Sequence, residues 1–230
     1  RVGGRVPPKQ PRGPMSATAA TVSVEAALAH GMRMLEHDPL MASEQARQIL
    51  HASPGEPGAR LLLGMAHNAL GDPGRAIDVL QPLSAEQPAA PRVWMELGLA
   101  LLARGQPEAA RNALAQAARL QPGLPRVWLY LAQLLEAAGD RGGAAHAYLA
   151  HARNGGQDPQ LLVAGEALSG GRLPEAEAVL RDRLRGFPTD VAALRMLAEL
   201  AARVGRNEQA IELLQRCLEL APGFAMARQH

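Results

Sequence analysis

The residues of this 230-residue chain that could do chemistry are seven histidines, one cysteine and a few closely spaced acid pairs. His146 and His151 are five positions apart, which on a helix sends them to different sides, so they are not expected to share a metal ion. His67 falls at an interior helix position. Cys217 stands alone, which excludes an internal disulfide and a cysteine-rich zinc site, and it reads as a small core residue. Glu175/Glu177 and Glu208/Glu212 read as solvated helix faces or partners of a helix N-terminal dipole. Gly142-Gly143 and Gly170-Gly171 lie in turns between helices and follow no strand, so they do not form a phosphate-binding loop. The chain has no Gly-rich loop ending in Lys-Ser or Lys-Thr, no His-Glu-x-x-His and no Gly-x-Ser-x-Gly. Nucleophile, base and oxyanion donors do not assemble from these residues. No catalytic, metal or cofactor site is expected.

The elements that would have to position such groups repeat. Pro91-Arg92-Val93-Trp94-Met95-Glu96-Leu97 and Pro125-Arg126-Val127-Trp128-Leu129-Tyr130-Leu131 match at proline, arginine, valine, tryptophan and leucine, 34 residues apart. The same interval separates Gly71, Gly105 and Gly139, and also Ala76, Ala110 and Ala144. A fixed period of this length means stacked copies of one supersecondary unit.

Composition agrees with a helical stack. Aromatic residues make up only 3% of the chain, and much of the apolar 47% is Ala and Leu, which suits closely packed helices rather than strands. Basic residues number 24 and acidic residues 22, for a net charge of +2. Arg1, Arg5, Lys9 and Arg12 lie in the first 22 positions, which hold no acid, so the basic excess belongs to that segment. A nucleic-acid surface is therefore not indicated. No apolar run reaches the length of a membrane span, and the Gly/Pro/Arg-rich start has no signal-peptide core. A soluble, cytoplasmic protein is the expectation. Residues 1–22 are expected as a disordered tail. Within it, Met15 is read as the native start with 1–14 as read-through, or else the segment is a basic arm.

Each unit reads as two antiparallel helices. Counting Pro57 and Pro91 as position 1, the third unit has helix A from about Pro91 to Arg104. Gly105 supplies the left-handed residue that ends it. Pro107 opens helix B, and Pro122 stops it after Leu120. Small residues at position 8 (Gly64, Gly98, Ala132, Ala198) and position 20 let paired helices approach, while leucines at position 7 fill between them. Trp94 and Trp128, at position 4, are expected as wedges in the core.

The W-x-x-L-G/A start, the mid-repeat glycine, the position-20 alanine and the late proline resemble the tetratricopeptide repeat (TPR). That resemblance implies an all-α solenoid of about six helix-turn-helix units in a right-handed superhelix. The units are set at about residues 23–56, 57–90, 91–124, 125–156, 157–190 and 191–224. The fifth departs from the pattern, since Gly139 to Gly171 is two residues short and Asn154-Gly155-Gly156 stands where a helix end and proline belong. Residues 225–230 are expected to begin a further repeat, so the array is expected to continue.

In TPR arrays, positions 2, 5, 9, 12 and 13 of helix A line a concave groove. The resemblance places Leu61, Met65, Met95, Leu99, Leu129, Gln133, Leu161, Gly165, Arg195 and Glu199 there, with Arg92 and Arg126 at its flank. Chaperone-binding TPR domains clamp a terminal carboxylate with Lys and Asn at such positions, and this chain has Leu and Met. The resemblance thus implies an apolar strip that becomes charged at unit six. Its occupant is a protein or peptide, a following domain, or a second copy of the chain. No nucleic acid and no membrane is implied. The shortened fifth unit and the run Cys217-Leu218-Glu219-Leu220-Ala221-Pro222-Gly223-Phe224 also resemble bacterial proteins joining TPRs to a sulfotransferase domain. If that holds, phosphoadenosine phosphosulfate would bind beyond His230, and the repeats would position an acceptor.

Overall fold

A computed structural model describes residues 16–124, 126–154 and 158–224, with side chains from residue 24. The tail expected at 1–15, Pro125, Gly155-Gly156 and the repeat expected to open at 225–230 lie outside the described residues. The chain divides into two compact units, residues 1–79 and 80–230.

The first unit holds α1 (Ser16–Met34), α2 (Pro39–Ala52), α3 (Pro57–Ala69) and the opening of α4 (Pro73–Glu86). Asp38 caps α2 by accepting from the Met41 amide at 3.0 Å, and Pro39 takes the first helical position, where a missing N–H costs nothing. Ala42, Ala46, Leu62 and Ala66 form the core, with Leu28, Met32 and Leu35 against them. A Cβ at Gly31 would stand 2.4 Å from a terminal methyl of Leu62, so glycine lets α1 lie close to this core without Leu62 shifting. α1 starts at Ser16, inside the segment expected as a tail. The run Ser16-Ala17-Thr18-Ala19-Ala20 holds three alanines, the strongest helix formers, and no Gly or Pro.

The second unit holds the rest of α4, then α5 (Pro91–Ala103), α6 (Pro107–Leu120), α7 (Val127–Ala137), α8 (Arg141–Asn154), α9 (Pro159–Ser169), α10 (Leu173–Gly186), α11 (Val191–Arg203) and α12 (Asn207–Leu220). Pro82 lies inside α4 and withholds the N–H that would bond back to Asp78. The paired helices are joined as the repeat predicts. Gly105 takes φ +76°, and the Gln106 amide then donates to the Leu101 carbonyl at 2.9 Å. A Cβ at Gly98 would stand 2.6 Å from Leu114, which is why the position-8 residue of this pair must be small.

Within the second unit the pattern of contacts widens after the fifth helix pair. α11 packs on α10 and α9, and it also reaches back to α8, which α12 touches as well. A core of Leu161, Leu168, Leu180, Met196, Leu197 and Leu200 binds α9, α10 and α11 together. The expectation of an all-α stack of helix pairs is met.

Candidate functional site

The sequence-predicted groove residues divide by burial. Leu61, Met95, Leu99, Gln133 and Gly165 are half-buried, and Arg92 is exposed. Leu129 is fully buried, and Met65 and Leu161 are buried as well. An unbroken exposed strip is therefore not present: at α7 and α9 the position-5 leucines belong to the interior of the stack. Arg195 and Glu199 face each other at 3.4 Å, and Glu199 also accepts from Arg203 at 2.7 Å. With Ile211 and Leu214 they line a depression of about 560 Å³ on α11 and α12.

Arg126 has a different task from the one its repeat position suggested. It precedes α7 with φ +65°, a left-handed conformation that costs a non-glycine residue on the order of 1 kcal/mol. Its guanidinium is committed elsewhere. Nε donates to Asp158 Oδ2 at 3.2 Å and Nη2 to Gln160 Oε1 at 3.1 Å.

Those bonds open onto a buried ionic cluster that sequence reasoning missed. Arg183, 2% exposed near the end of α10, donates through Nη1 to Asp158 Oδ1 at 2.9 Å and to Gln160 Oε1 at 3.1 Å. Its Nε donates to Asp190 Oδ2. His151, at the end of α8, meets Asp190 Oδ1 at 2.9 Å. Both aspartates are helix caps: Asp158 accepts from the Gln160 amide of α9, and Asp190 from the Ala193 amide of α11, each at 3.0 Å. Phe187 fills the space beneath, with Arg126 and Arg183 over its ring at 5.6 and 5.7 Å and Tyr130 edge-on at 5.6 Å. The buried Arg183 and the partly exposed Arg126 balance the two buried aspartates, so neither carboxylate is left without a cation.

Burial works to raise the Asp190 carboxyl, but the His151 hydrogen bond and the His151 and Arg183 charges hold it down at about 2. Arg183 Nη2 is buried without a hydrogen-bond partner among the described residues. The signal that could have revealed the cluster is the residue type at position 27. Leu83 and Ala117 fill that position in units two and three, and His151 and Arg183 fill it in the next two, all buried. A cation at a core position demands buried acids, and the N-cap aspartates supply them.

The remaining candidates settle as packing. Cys217 is fully buried, its thiol pushed up to about 12 by burial, and it donates to the Val191 carbonyl at 3.7 Å. Burial lowers the pKa of His67. Trp94 and Trp128 are half-buried rather than core wedges. Each indole N–H donates at 2.9 Å to a carbonyl six residues earlier, Pro88 and Pro122 respectively, which pins the turn before its helix. Of the acid pairs, Glu177 does more than face solvent. Hydrogen bonds from Arg206 and Arg181 hold it at about 2, and Arg206 comes from the next helix pair. Among the described residues no three His, Cys, Asp or Glu side chains gather as a metal site, and no helix is long and apolar enough to cross a membrane.

With paired helices, left-handed glycine turns and the small-residue register in place, comparison with known proteins decides the family. The profile described as Cilia and flagella-associated protein 70 C-terminal domain, a TPR family, matches residues 8–230. The chain belongs to this TPR family. No curated protein matches it. Among solved structures it is similar to Pseudomonas aeruginosa PilF, at 18% identity over 92% of this chain and 97% of that one, with a TM-score of 0.57. It is also similar to MamA, at 18% identity over 88% and 98% of the two chains, with a TM-score of 0.53. The Thermobaculum terrenum O-GlcNAc transferase is similar at 26% identity and a TM-score of 0.54, over 58% of this chain and 26% of that enzyme. The first two likenesses concern the fold of the TPR array alone.

Proposed function

We propose that this chain is a non-catalytic interaction scaffold whose helix-A face holds a peptide or protein segment. The observation that carries the reading is the pair Met95 and Leu99 on α5. They lie one turn apart and half-exposed beside the exposed Arg92, although the same helix buries Val93, Leu97 and Leu101. Methionine and leucine left at a surface beside a cation suit an apolar segment with an acidic or polar neighbour. Gln133 on α7 and the Arg195–Glu199 pair on α11 supply polar contacts further along the array. Leu129 and Leu161 are excluded from the contact set because they are buried. The reading assigns no cofactor to these residues.

Peptides selected from a random displayed library against the parent chain test this. The Met95→Glu/Leu99→Glu variant is expected to lose their binding while keeping the parent helical circular dichroism. Selected peptides that bind the folded double variant as tightly as the parent would refute the reading.

A further inference from the structure

On the opposite side of the α5 register from Met95 and Leu99, a second surface stands open. The second half of α4, with α5 and α6, lines an open slot of about 710 Å³, inside the size range of ligand sites. Its lining holds no Asp, Glu, Lys or Arg, in a chain whose sequence is 20% charged. Four carboxamides face it instead: Gln81 from α4, Gln106 before α6, and Asn112 and Gln116 on α6. Its apolar floor is Trp94, Leu97 and Leu101. The indole is preset by its bond to the Pro88 carbonyl.

One repeat along, the same surface is different. Trp128 is bonded to Pro122 as Trp94 is to Pro88, but His146 occupies the position of Asn112 and sets its ring edge-on to the indole at 6.2 Å. Asp140 and Ala150 replace Gln106 and Gln116 there. The equivalent indole thus meets the edge of an imidazole, and a carboxylate stands at the repeat position of Gln106. The amide lining belongs to the slot at Trp94 and is not a property of every repeat.

We propose that the Trp94 slot is a second binding site, taking an extended, uncharged peptide segment with a proline or aliphatic side chain seated on the indole. Each carboxamide carries both donors and an acceptor, which complements the alternating N–H and C=O groups of an extended backbone. A helical ligand would satisfy those groups itself and leave the amides unused. A charged ligand would lose hydration over a lining that carries no charge of its own, the nearby Arg119 being engaged by Gln116. A proline-containing segment enters with its backbone already extended and so loses less entropy on binding. Gln116 already accepts from Arg119 through its oxygen, so this amide serves as the donor.

Calorimetric titration of the parent chain with an acetylated, amidated decapeptide of alternating proline and alanine tests the assignment. Saturable binding is expected, weakened at least about tenfold by Asn112→His, which copies the covered arrangement, and by Asn112→Lys, which adds a charge. Asn112 is exposed, so both variants are expected to fold as the parent does. Leu99→Glu is expected to leave this titration unchanged, which separates it from the helix-A face. The proposal is overturned if the decapeptide does not bind, or if either Asn112 variant binds it at parent affinity. It is equally overturned if glutamate in place of alanine costs nothing, or if maltoheptaose binds the slot and the peptide does not.

Discussion

The third and fifth helix pairs carry the same small-residue register and stabilise it by opposite means. In α5 and α6 the helices meet through Gly98 against Leu114, and Ala117 fills position 27. In α9 and α10 position 27 is Arg183, on which Asp158, Asp190 and Gln160 converge, with His151 bonded to Asp190. The plain pair needs only neighbours that fit. The ionic pair needs all of its partners at once, because an unpaired buried charge costs more than a missing methyl group. What the fifth pair gains is position: α11 is drawn against α8 as well as α10, where its N-cap aspartate meets His151.

The most severe way to break this contrast is Arg183→Ala. It leaves Asp158 and Asp190 buried without their cation and is expected to cost about 3–5 kcal/mol in urea denaturation. Ala117→Gly at the same position of the third pair is expected to cost only about 1 kcal/mol. Equal losses in the two variants would show that the cluster is no more demanding than a methyl contact.

Acid provides a milder test of the same difference. Asp190 is depressed from 3.8 to about 2, so its contribution is fully present above pH 3.8 and disappears as pH falls through 2. By linkage this amounts to about 2 kcal/mol, visible as a falling denaturation midpoint between those pH values. Asp190→Asn is expected to remove that part of the pH dependence. An unchanged acid profile in the variant would place the titration elsewhere.

Smallest of all should be Arg206→Ala. Arg206 reaches Glu177 at 2.8 Å from the next helix pair, but its side chain is 42% exposed, and a pair so open to solvent is screened and contributes little. A loss comparable to that of Arg183→Ala would mean that surface pairing, not the buried cluster, ties these helices together.

The helices were legible in the sequence because their punctuation is local. Prolines mark starts at Pro57, Pro91, Pro107 and Pro159, and glycines mark ends at Gly71, Gly105 and Gly139. Close approach at Gly98 was legible for the same reason, since a small residue recurs where two helices touch. The ionic cluster was not. Apart from Arg183 and Asp190, which are 7 residues apart, its partners are 23 to 39 residues apart and come from different helix ends, and no local preference links them. The burial of Leu129 and Leu161 escaped as well. A family position fixes which way a residue points along its own helix, while its exposure depends on how the next pair is set against it.

The Arg183 cluster also bears on how the array comes apart. In an ideal stack each helix pair touches only its neighbours, so units can open one at a time from an end. Here bonds run from Arg126 before α7 to Ala193 in α11, through side chains of three successive pairs. No one of these pairs can open without stripping charges from the others. The stretch from α7 to α11 is a single cooperative block set within a modular chain, and native-state hydrogen exchange there should report one shared opening event instead of a graded series.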